Sequence, residues 1–243
     1  MKKKERLDKK VQEIYPHLSR NQIQSLIMQN KVFVDDKPIN KAGIQIAPDS
    51  VVRVEQDTPD YVCRAGYKLA KALDYFSINP QGLTVLDAGL STGGFTDCLL
   101  QRGAKKVYGV DVGYGQVHEK IRNDPRVQVM ERTNVRYVTD VGEQVDAVTL
   151  DLSFISVLKV MDAVCAVLRP QGLLIVLIKP QFEAQKEQVG KKGIIKDSTI
   201  HQEVVQKVSQ GIQERGFILQ GITESPIQGA TGNTEFLGYF IKK

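Results

Sequence analysis

The amino-acid sequence predicts an α/β protein with a doubly wound, mostly parallel sheet, preceded by a small α+β domain. From about Tyr61 onward, short apolar segments alternate with amphipathic segments of helical length, which is the pattern of a parallel sheet covered by helices. The first 56 residues instead contain two short helical segments followed by short apolar runs. A polar stretch around Pro59 separates the two patterns and is typical of a linker. We therefore place the small domain at residues 1–56, the linker at 57–62 and the larger domain at 63–243.

The small domain has recognisable local signals. Apolar residues at helical spacing predict a first helix from Arg6 to about Glu13. Ser19, followed three residues later by Gln22, forms a capping box that predicts the start of a second helix. The apolar runs Val32–Val34 and Val51–Val54 predict short strands.

The positive charge of the chain is concentrated in this small domain. The 243 residues include 33 Lys and Arg against 28 Asp and Glu, a formal net charge of +5. Residues 1–56 hold eleven basic residues against seven acidic ones, and the rest of the chain holds 22 against 21. A basic module beside a nearly neutral domain suggests that the first binds a polyanion and the second carries chemistry. The alternative is a solvated helix face with a charged tail.

In the larger domain, seven apolar segments predict strands and five amphipathic segments predict helices. Ligands of such sheets bind beyond the carboxyl ends of the strands, so the residues that follow each strand are the candidates for a site. The predicted strands cover residues 84–87, 106–111, 126–130, 145–151, 172–179, 217–223 and 235–241. The predicted helices cover residues 66–76, 93–102, 116–122, 155–168 and 198–215.

Several classes of protein do not fit the sequence. The chain begins with Met1–Lys4, and no apolar stretch follows, so we predict no signal peptide. The longest apolar run, Gly172–Ile178, has the length of a buried strand and not of a membrane span. The widely spaced Cys63, Cys98 and Cys165 indicate neither a disulfide framework nor a zinc site. We expect a cytoplasmic protein without a membrane segment or a required metal.

The first strand of the larger domain runs into a glycine loop flanked by acids. The loop contains neither the dinucleotide fingerprint nor a phosphate-binding loop. Asp87, just before the glycines, would repel a pyrophosphate but suits a cationic ligand. Asp111 ends the next strand, where a carboxylate can bind both hydroxyls of a ribose. The alternative is an ordinary βα turn in which the acids cap helices.

This acid–glycine–acid pattern resembles the S-adenosylmethionine site of class I methyltransferases, which have a Rossmann-like sheet of seven strands. The resemblance implies that S-adenosylmethionine is the cofactor, and that Asn134 after the third strand helps to hold its adenine. The implied cofactor-binding residues are Asp87, Gly89, Ser91, Thr92, Gly93, Gly94, Asp111 and Asn134.

The same loop permits a second interpretation, because Gly89–Gly93 fits the nucleophile elbow of α/β-hydrolases with Ser91 as nucleophile. Such a triad needs a downstream Asp and a His placed in a loop. His201 instead lies in a polar segment that opens a helix. A hydrolase would also leave Asp87 and Asp111 without a role, so we disfavour it.

Charged residues also end the fourth and fifth predicted strands. Asp151 and Lys179 both follow apolar runs and would lie at the carboxyl rim of the sheet. A lysine at the end of a buried strand costs several kcal/mol unless it is paired. We expect Lys68, on the helix before the first strand, and Glu235, at the start of the last strand, to converge on the same place. The alternative is an ion-pair cluster with a structural role only.

With these motifs in place, nearly the whole chain resembles the TlyA family, historically labelled hemolysins, in which an S4 RNA-binding domain is fused to a methyltransferase of the FtsJ/RrmJ type. The resemblance implies a ribosomal RNA 2′-O-methyltransferase, with cytidine as the modified nucleoside. The implied catalytic tetrad is Lys68, Asp151, Lys179 and Glu235. Cys63, Ala65 and Leu90 depart from the residues usual in the family. The matching segments are residues 6–8, 18–20, 26–27, 31–34, 48–52, 86–89, 91–97, 111–116, 131–136, 151–156 and 179–183.

The S4 resemblance implies that the basic face of the second helix contacts structured RNA. The segment Gly190–Gly193 is either a basic clamp over the RNA or an ordinary surface loop. Tyr114 and Phe182 either stack on a base or belong to the core. The predicted RNA-binding residues are Lys9, Lys10, Arg20, Lys31, Arg64, Lys191 and Lys192.

Three classes of function can therefore be compared. An RNA methyltransferase explains the acids, the glycines, the tetrad and the basic module together. A pore-forming hemolysin would need a strongly amphipathic or long apolar segment, which we do not find in the sequence. A protein that only binds RNA would not need an intact tetrad. We therefore expect an S-adenosylmethionine-dependent enzyme with ribosomal RNA or ribosomal subunits as its partner.

Overall fold

The structure is a computed structural model that describes residues 4–16, 18–55, 60–229 and 231–243. The chain divides into two compact units, Met1–Thr58 and Pro59–Lys243. The predicted linker falls partly on residues 57–59, which lie outside the described residues.

The first unit packs two helices against short strands. The capping box predicted at Ser19 is present, since the side chain of Gln22 accepts a hydrogen bond from the Ser19 backbone N–H. The core includes Leu7, Val11 and Ile27, each with no exposed surface. The elements are β1 (Glu5–Arg6), α1 (Leu7–Ile14), α2 (Arg20–Met28), β2 (Val32–Val34), β3 (Lys37–Ile39), β4 (Gln45–Ile46) and β5 (Val52–Val54).

Strands β1, β3 and β4 were not predicted from the sequence. Strand β3 pairs antiparallel with β2 through a tight turn at Asp35 and Asp36, whose φ angles are +48° and +61°. Strand β1 pairs antiparallel with β4. Strands of two or three residues contain too few alternating positions for a sequence pattern to reveal them.

The second unit is the predicted doubly wound α/β domain. Its seven strands are in the order β11-β12-β10-β9-β6-β7-β8, and the neighbours from β10 to β8 are parallel. The strands are β6 (Thr84–Ala88), β7 (Lys106–Val110), β8 (Val127–Met130), β9 (Val145–Leu150), β10 (Leu168–Ile178), β11 (Phe217–Glu224) and β12 (Phe236–Lys242). The helices are α3 (Ala65–Tyr75), α4 (Gly94–Gln101), α5 (Glu119–Arg122), α6 (Met161–Val167), α7 (Pro180–Glu183) and α8 (Ser198–Gln213).

Two predicted helices are shorter in the structure because polar side chains cap them late. His118 accepts a hydrogen bond from the backbone of Lys120, so α5 begins only at Glu119. Ser156 caps a 3₁₀ helix over Val157–Val160, and α6 follows it. The remaining 3₁₀ helices cover Val135–Tyr137, Lys186–Gln188 and Lys191–Gly193.

The two faces of the sheet pack into separate hydrophobic clusters. Val85 and Val107 belong to one cluster, while their neighbours Leu86 and Tyr108 belong to the other. This alternation is the expected result of the strand repeat of two residues. Because β6 to β10 are parallel, their carboxyl ends meet along one rim of the sheet.

Asp87 is buried within this core at the end of β6. Its carboxylate is 0% exposed and accepts hydrogen bonds from the hydroxyls of Thr96 and Thr149, at 2.7 and 2.8 Å. The two bonds join β6 to helix α4 and to strand β9. Burial raises the pKa of the Asp87 carboxyl from 3.8 to about 6.

We predict that Asp87 makes the stability of the protein depend on pH. The unfolded chain releases the proton at 3.8 and the folded protein near 6, so the folded state binds more protons between these values. Wild-type stability should fall from about pH 4 to pH 6, by an amount on the order of 3 kcal/mol for this group. The stability of Asp87→Asn relative to wild type should therefore rise over this range and stay constant above it. Urea unfolding across the pH range measures the difference, and Thr149→Val, which removes one donor to the carboxylate, should raise the pKa of Asp87 further and extend the fall in stability to higher pH. A constant difference between Asp87→Asn and wild type at all pH values would contradict the prediction.

Candidate functional site

Two adjoining cavities open at the carboxyl rim of the sheet. The smaller cavity has a volume of about 460 Å³ and the larger one about 640 Å³. Four residues line both of them: Ser91, Asp151, Ser153 and Phe154. A molecule in the smaller cavity can therefore meet a molecule in the larger one across this shared wall.

The glycine loop after β6 forms part of both walls because glycines permit close contacts there. Gly89 has a φ angle of +93°, and a Cβ atom at this position would lie 2.3 Å from the carbonyl oxygen of Asp151. A Cβ atom on Gly94 would lie 2.5 Å from the Sγ atom of Cys63. The loop consequently packs tightly against the end of β9 and against the turn that precedes α3.

The smaller cavity is lined by the predicted residues Asp111 and Asn134. The Asp111 carboxylate accepts hydrogen bonds from the backbone N–H groups of Ser91 and Gly113, at 2.7 and 2.6 Å. The Asn134 side-chain oxygen accepts a hydrogen bond from the backbone N–H of Arg136, which leaves its amide donors for a ligand. Both side chains are thus held in position by the backbone around them.

Four predicted cofactor residues line neither of these two cavities. The carboxylate of Asp87 lies in the core, so the predicted direct contact with a cationic ligand is corrected to a structural role. Its side chain lies between strand β9 and helix α4, whereas the chain borders the smaller cavity only from Gly89 onward. Thr92 and Gly93 also lie away from the cavities, and the Thr92 carbonyl accepts a hydrogen bond from His118. Gly94 lines a small adjoining pocket of about 170 Å³.

The four charged residues predicted to converge do lie together on the wall of the larger cavity. The Nζ atom of Lys179 lies 2.6 Å from Oδ1 of Asp151 and 3.0 Å from Oγ of Ser153. The Nζ atom of Lys68 lies 2.5 Å from Oε2 of Glu235. Lys68 and Lys179 are each 8% exposed and Glu235 is 2% exposed. The arrangement therefore consists of two ion pairs, both largely shielded from water.

The sheet register explains why these pairs are neighbours. Ile178 of β10 lies opposite Phe236 of β12, so Lys179 and Glu235 end adjacent antiparallel strands at the same edge. Asp151 follows β9, which is parallel to β10. Lys68 reaches Glu235 from helix α3. Since each buried charge has an opposite charge beside it, the cluster avoids the cost of an isolated buried ion.

A further buried carboxylate supports the segments that carry Lys179 and Asp151. Glu183, in helix α7 just after Lys179, is 4% exposed and accepts a hydrogen bond from the backbone N–H of Val157 at 2.7 Å. Burial raises the pKa of the Glu183 carboxyl. This bond connects α7 to the 3₁₀ helix Val157–Val160, which follows the loop after β9.

The predicted RNA-binding residues are found in different surroundings. Arg64 and Lys192 are exposed and line the larger cavity. In the first unit, Lys9 and Arg20 are exposed and Lys31 is half-buried. Lys10 lies 3.1 Å from Glu5 and 3.6 Å from Glu13, so acidic neighbours partly neutralise its charge. The side chain of Lys191 lies outside the described residues.

Of the aromatic residues near the site, Phe154 and Tyr114 are exposed and Phe182 is half-buried. Phe182 lines the larger cavity, with its ring 5.1 Å from that of Phe154. Phe154 is 90% exposed with a φ angle of +64°, an uncommon conformation for a bulky residue, and it was not identified from the sequence. Its place directly after the fourth strand was the available signal. Tyr114 is 66% exposed, with the guanidinium of Arg132 stacked 4.1 Å from its ring.

Polar lining residues were also missed, although Ser153 and Gln181 follow the ends of β9 and β10, because the charged residues beside them were the only strand-end residues considered. Ser153, Gln181 and Thr231 line the larger cavity.

Leu90, which departs from the family pattern, is 2% exposed and packs against Gly109, where the absence of a side chain makes room for it.

The structure does not assemble a hydrolase triad around Ser91 among the described residues. His118 Nδ1 accepts a hydrogen bond from the backbone of Lys120, and the ring of His201 contacts the carbonyl of Ile195. Within the described ranges, we find no group of three or more His, Cys, Asp or Glu residues placed to bind a metal ion. The helices that the structure describes are all too short or too polar to cross a membrane.

Comparison with known families gives two matches. Residues 61–242 match the family model of FtsJ-like methyltransferases, and residues 5–52 match that of the S4 domain.

Individual relatives cover most of the chain. A Bacillus subtilis protein described as a candidate rRNA methyltransferase is 42% identical over 97% of this chain and 85% of its own length. A Mycobacterium tuberculosis 16S/23S rRNA (cytidine-2′-O)-methyltransferase, TlyA, is 42% identical over 90% of this chain and 82% of its own. A solved structure of a candidate hemolysin from Streptococcus thermophilus is 37% identical, with a TM-score of 0.76, and the match covers 100% of this chain and 90% of that one. The chain therefore belongs to the TlyA family, in which an S4 domain precedes an FtsJ-like methyltransferase domain.

Proposed function

We propose that this protein transfers the methyl group of S-adenosylmethionine to the ribose 2′-OH of a cytidine in ribosomal RNA. The observation that carries the proposal is the pair of buried Lys–carboxylate contacts beside the wall that the two cavities share. The target is supported by the name of the Mycobacterium tuberculosis relative, which gives 16S and 23S rRNA and the cytidine 2′-oxygen. A ribosomal target also implies a cytoplasmic location.

The smaller cavity fits the adenosyl part of this cofactor. Asp111 offers a carboxylate with acceptor capacity for the two ribose hydroxyls. Asn134 offers amide donors for the adenine edge, and Val112 and Ile155 provide apolar walls for the base. When bound, S-adenosylmethionine supplies a methyl group on a sulfonium, whose C–S bond breaks as the new C–O bond forms.

The larger cavity would receive the target nucleotide. A ribose hydroxyl is a weak nucleophile, so the protein must place it in line with the methyl group and stabilise the charge that develops on its oxygen. An ammonium group has three N–H donors, and those of Lys179 that contact Asp151 and Ser153 leave one for the hydroxyl oxygen. In a second possible role, a neutral Lys179 amine accepts the hydroxyl proton. The first role requires a positively charged donor at this position, whereas the second requires a group that can accept a proton.

The surrounding residues fit an RNA substrate. The Lys68–Glu235 pair holds the opposite part of the cavity wall without adding net charge. Arg64 and Lys192 place positive charge at the mouth, where phosphates would pass. The rings of Phe154 and Phe182 offer a surface on which a base can stack. An RNA-binding protein without catalysis would gain nothing from burying four charges at such a junction.

We predict that Lys179→Ala abolishes methyl transfer while cofactor affinity stays close to that of wild type. Asp151 would lose its ion-pair partner, so the free energy of unfolding should also fall, by about 3 kcal/mol. Methyl incorporation into ribosomal RNA from cells that lack this enzyme measures the reaction, and mass spectrometry of the nucleosides identifies the 2′-O-methyl product. Lys159→Ala, an exposed lysine away from both cavities, is the matched control.

Lys179→Arg distinguishes the two roles of the lysine. Arginine keeps a positive charge but does not give up a proton at physiological pH. If Lys179 acts as a base, Lys179→Arg should be as inactive as Lys179→Ala, and if it only orients and stabilises, some activity should remain. A methylated base instead of a methylated ribose, or near wild-type turnover of Lys179→Ala, would refute the mechanism.

We predict that Asp111→Ala weakens S-adenosylmethionine binding by about 1–3 kcal/mol, because hydrogen bonds to a charged acceptor are lost. Asp111→Asn keeps one acceptor oxygen and should have a smaller effect. Titration calorimetry measures both affinities, with the exposed Asp140→Ala as control. Equal affinity of the wild-type protein for NAD or ATP would contradict the cofactor assignment.

We predict that deletion of residues 1–56 leaves a folded protein that still binds cofactor but has lost affinity for ribosomal RNA. The reason is the excess of basic residues in this segment and its match to the S4 domain. RNA affinity of the full chain should fall steeply with salt, because phosphate contacts release counterions. Filter binding at several salt concentrations tests both statements, and unchanged RNA affinity of the truncated protein would refute them.

A further inference from the structure

Two loops cover the larger cavity from different parts of the chain. The first, residues 189–195, follows helix α7 and contributes Val189, Lys192 and Gly193 to the lining. The second, residues 227–229 and 231–235, leads into strand β12 and contributes Ile227, Gln228, Thr231 and Glu235. We call them the first and second covering loops.

A single buried amide joins the two covering loops. Asn233 is 0% exposed, and its Nδ2 atom donates hydrogen bonds to the carbonyl of Gly193 at 2.8 Å and to Oγ1 of Thr231 at 3.0 Å. Its Oδ1 atom accepts a hydrogen bond from the backbone N–H of Ile195 at 3.0 Å. Its own carbonyl accepts one from the N–H of Gly229 at 2.9 Å. The Asn233 side chain thus makes two hydrogen bonds to the first covering loop, and its backbone carbonyl makes one within the second.

The bonds from Asn233 reach the first covering loop next to a residue with an unfavourable backbone conformation. Lys192 has a φ angle of +69° and Gly193 one of +73°. The left-handed conformation is unfavourable for a lysine, so it persists only where surrounding contacts impose it. The bond from Asn233 to the Gly193 carbonyl is such a contact, and it directly follows Lys192 in the chain.

The second loop closes on the catalytic cluster. A Cβ atom on Gly229 would lie 2.5 Å from Oε1 of Glu235, so this part of the loop lies against the Lys68–Glu235 pair. Through the backbone bond to Gly229, Asn233 keeps this contact in place. Asn233 consequently connects the first covering loop, which carries Lys192, to the part of the second covering loop that lies against the Lys68–Glu235 pair.

We propose that Asn233 is a positioning residue for the RNA substrate, one that holds Lys192 over the larger cavity by joining the two covering loops. The proposal rests on the function proposed above. Asn233 is too buried to touch RNA itself, so it acts through Lys192, and we expect the larger part of its effect to be on substrate binding.

The test measures steady-state methylation of ribosomal RNA by the full-length enzyme. Asn233→Ala should raise KM for the RNA about ten-fold, as expected for the loss of buried hydrogen bonds that order a binding loop. Its kcat should change by less than about three-fold, because the binding interaction is lost equally from ground and transition states. Val208→Ala, a substitution of a fully buried residue in the hydrophobic cluster under α8, controls for a general loss of stability and should leave KM unchanged.

A double-mutant cycle with Lys192→Ala separates positioning from a structural role. If Asn233 acts by holding Lys192, the double variant should have a KM close to that of the single variant with the higher KM. Independent effects would instead multiply. Hydrogen exchange supplies a readout without RNA, because the backbone amide of Ile195 loses its acceptor in Asn233→Ala and should exchange faster. If Asn233→Ala does not fold, Asn233→Asp replaces it in the kinetic measurements, since it keeps the acceptor for Ile195 but opposes an oxygen to the Gly193 carbonyl.

The outcomes separate this proposal from the function on which it rests. Wild-type enzyme that methylates no ribosomal RNA would overturn the proposed function. Active wild-type enzyme together with an Asn233 variant whose KM matches Val208→Ala, or whose effect multiplies with that of Lys192→Ala, would overturn the role of Asn233.

Discussion

The need to bury two lysines beside their carboxylates is the constraint on which the rest of the site depends. Lys68 and Lys179 are almost inaccessible to water, and a buried ammonium without a partner would cost several kcal/mol. Each pair joins elements that are distant in the chain, since Lys68 and Glu235 are 167 residues apart. Helix α3 must therefore meet the start of β12, and the ends of β9 and β10 must meet each other, before all four charges are satisfied. The same convergence encloses the larger cavity.

Close packing around the glycine loop provides the second half of the arrangement. Gly89 lets the backbone reach the carbonyl of Asp151, and Gly94 lets it reach Cys63 in the turn before α3. These contacts bring the loop that borders the smaller cavity against the segments that border the larger one. Asp87 lies behind this junction, where its hydrogen bonds to Thr96 and Thr149 join strand, helix and neighbouring strand. Asp87, a buried acid with a raised pKa, thus helps to hold together the strands and the helix that border the two cavities.

Several features of the fold and site could be predicted from the sequence because their signals are local. Alternating apolar and amphipathic segments indicated seven strands with helices between them, and the structure contains seven strands in one sheet. Asp111, Asp151 and Lys179 could be identified because each directly follows a strand, and parallel strands end at a common rim. Short strands such as β3 escaped prediction because three residues carry too little pattern. Asn233 escaped it because its role consists of contacts with Gly193 and Ile195, far away in the chain.

The sequence by itself determined which types of residue stand at the ends of the strands, and hence that acids, glycines and lysines would meet at one rim. The tertiary structure alone decided how they meet. It directed Asp87 into the core and not toward a ligand, paired Lys179 with Asp151 and Lys68 with Glu235, and exposed Phe154 at the shared wall. The physical reason is that residue type follows from the local pattern, whereas the direction and partner of a side chain depend on strand register and on packing between segments distant in the chain.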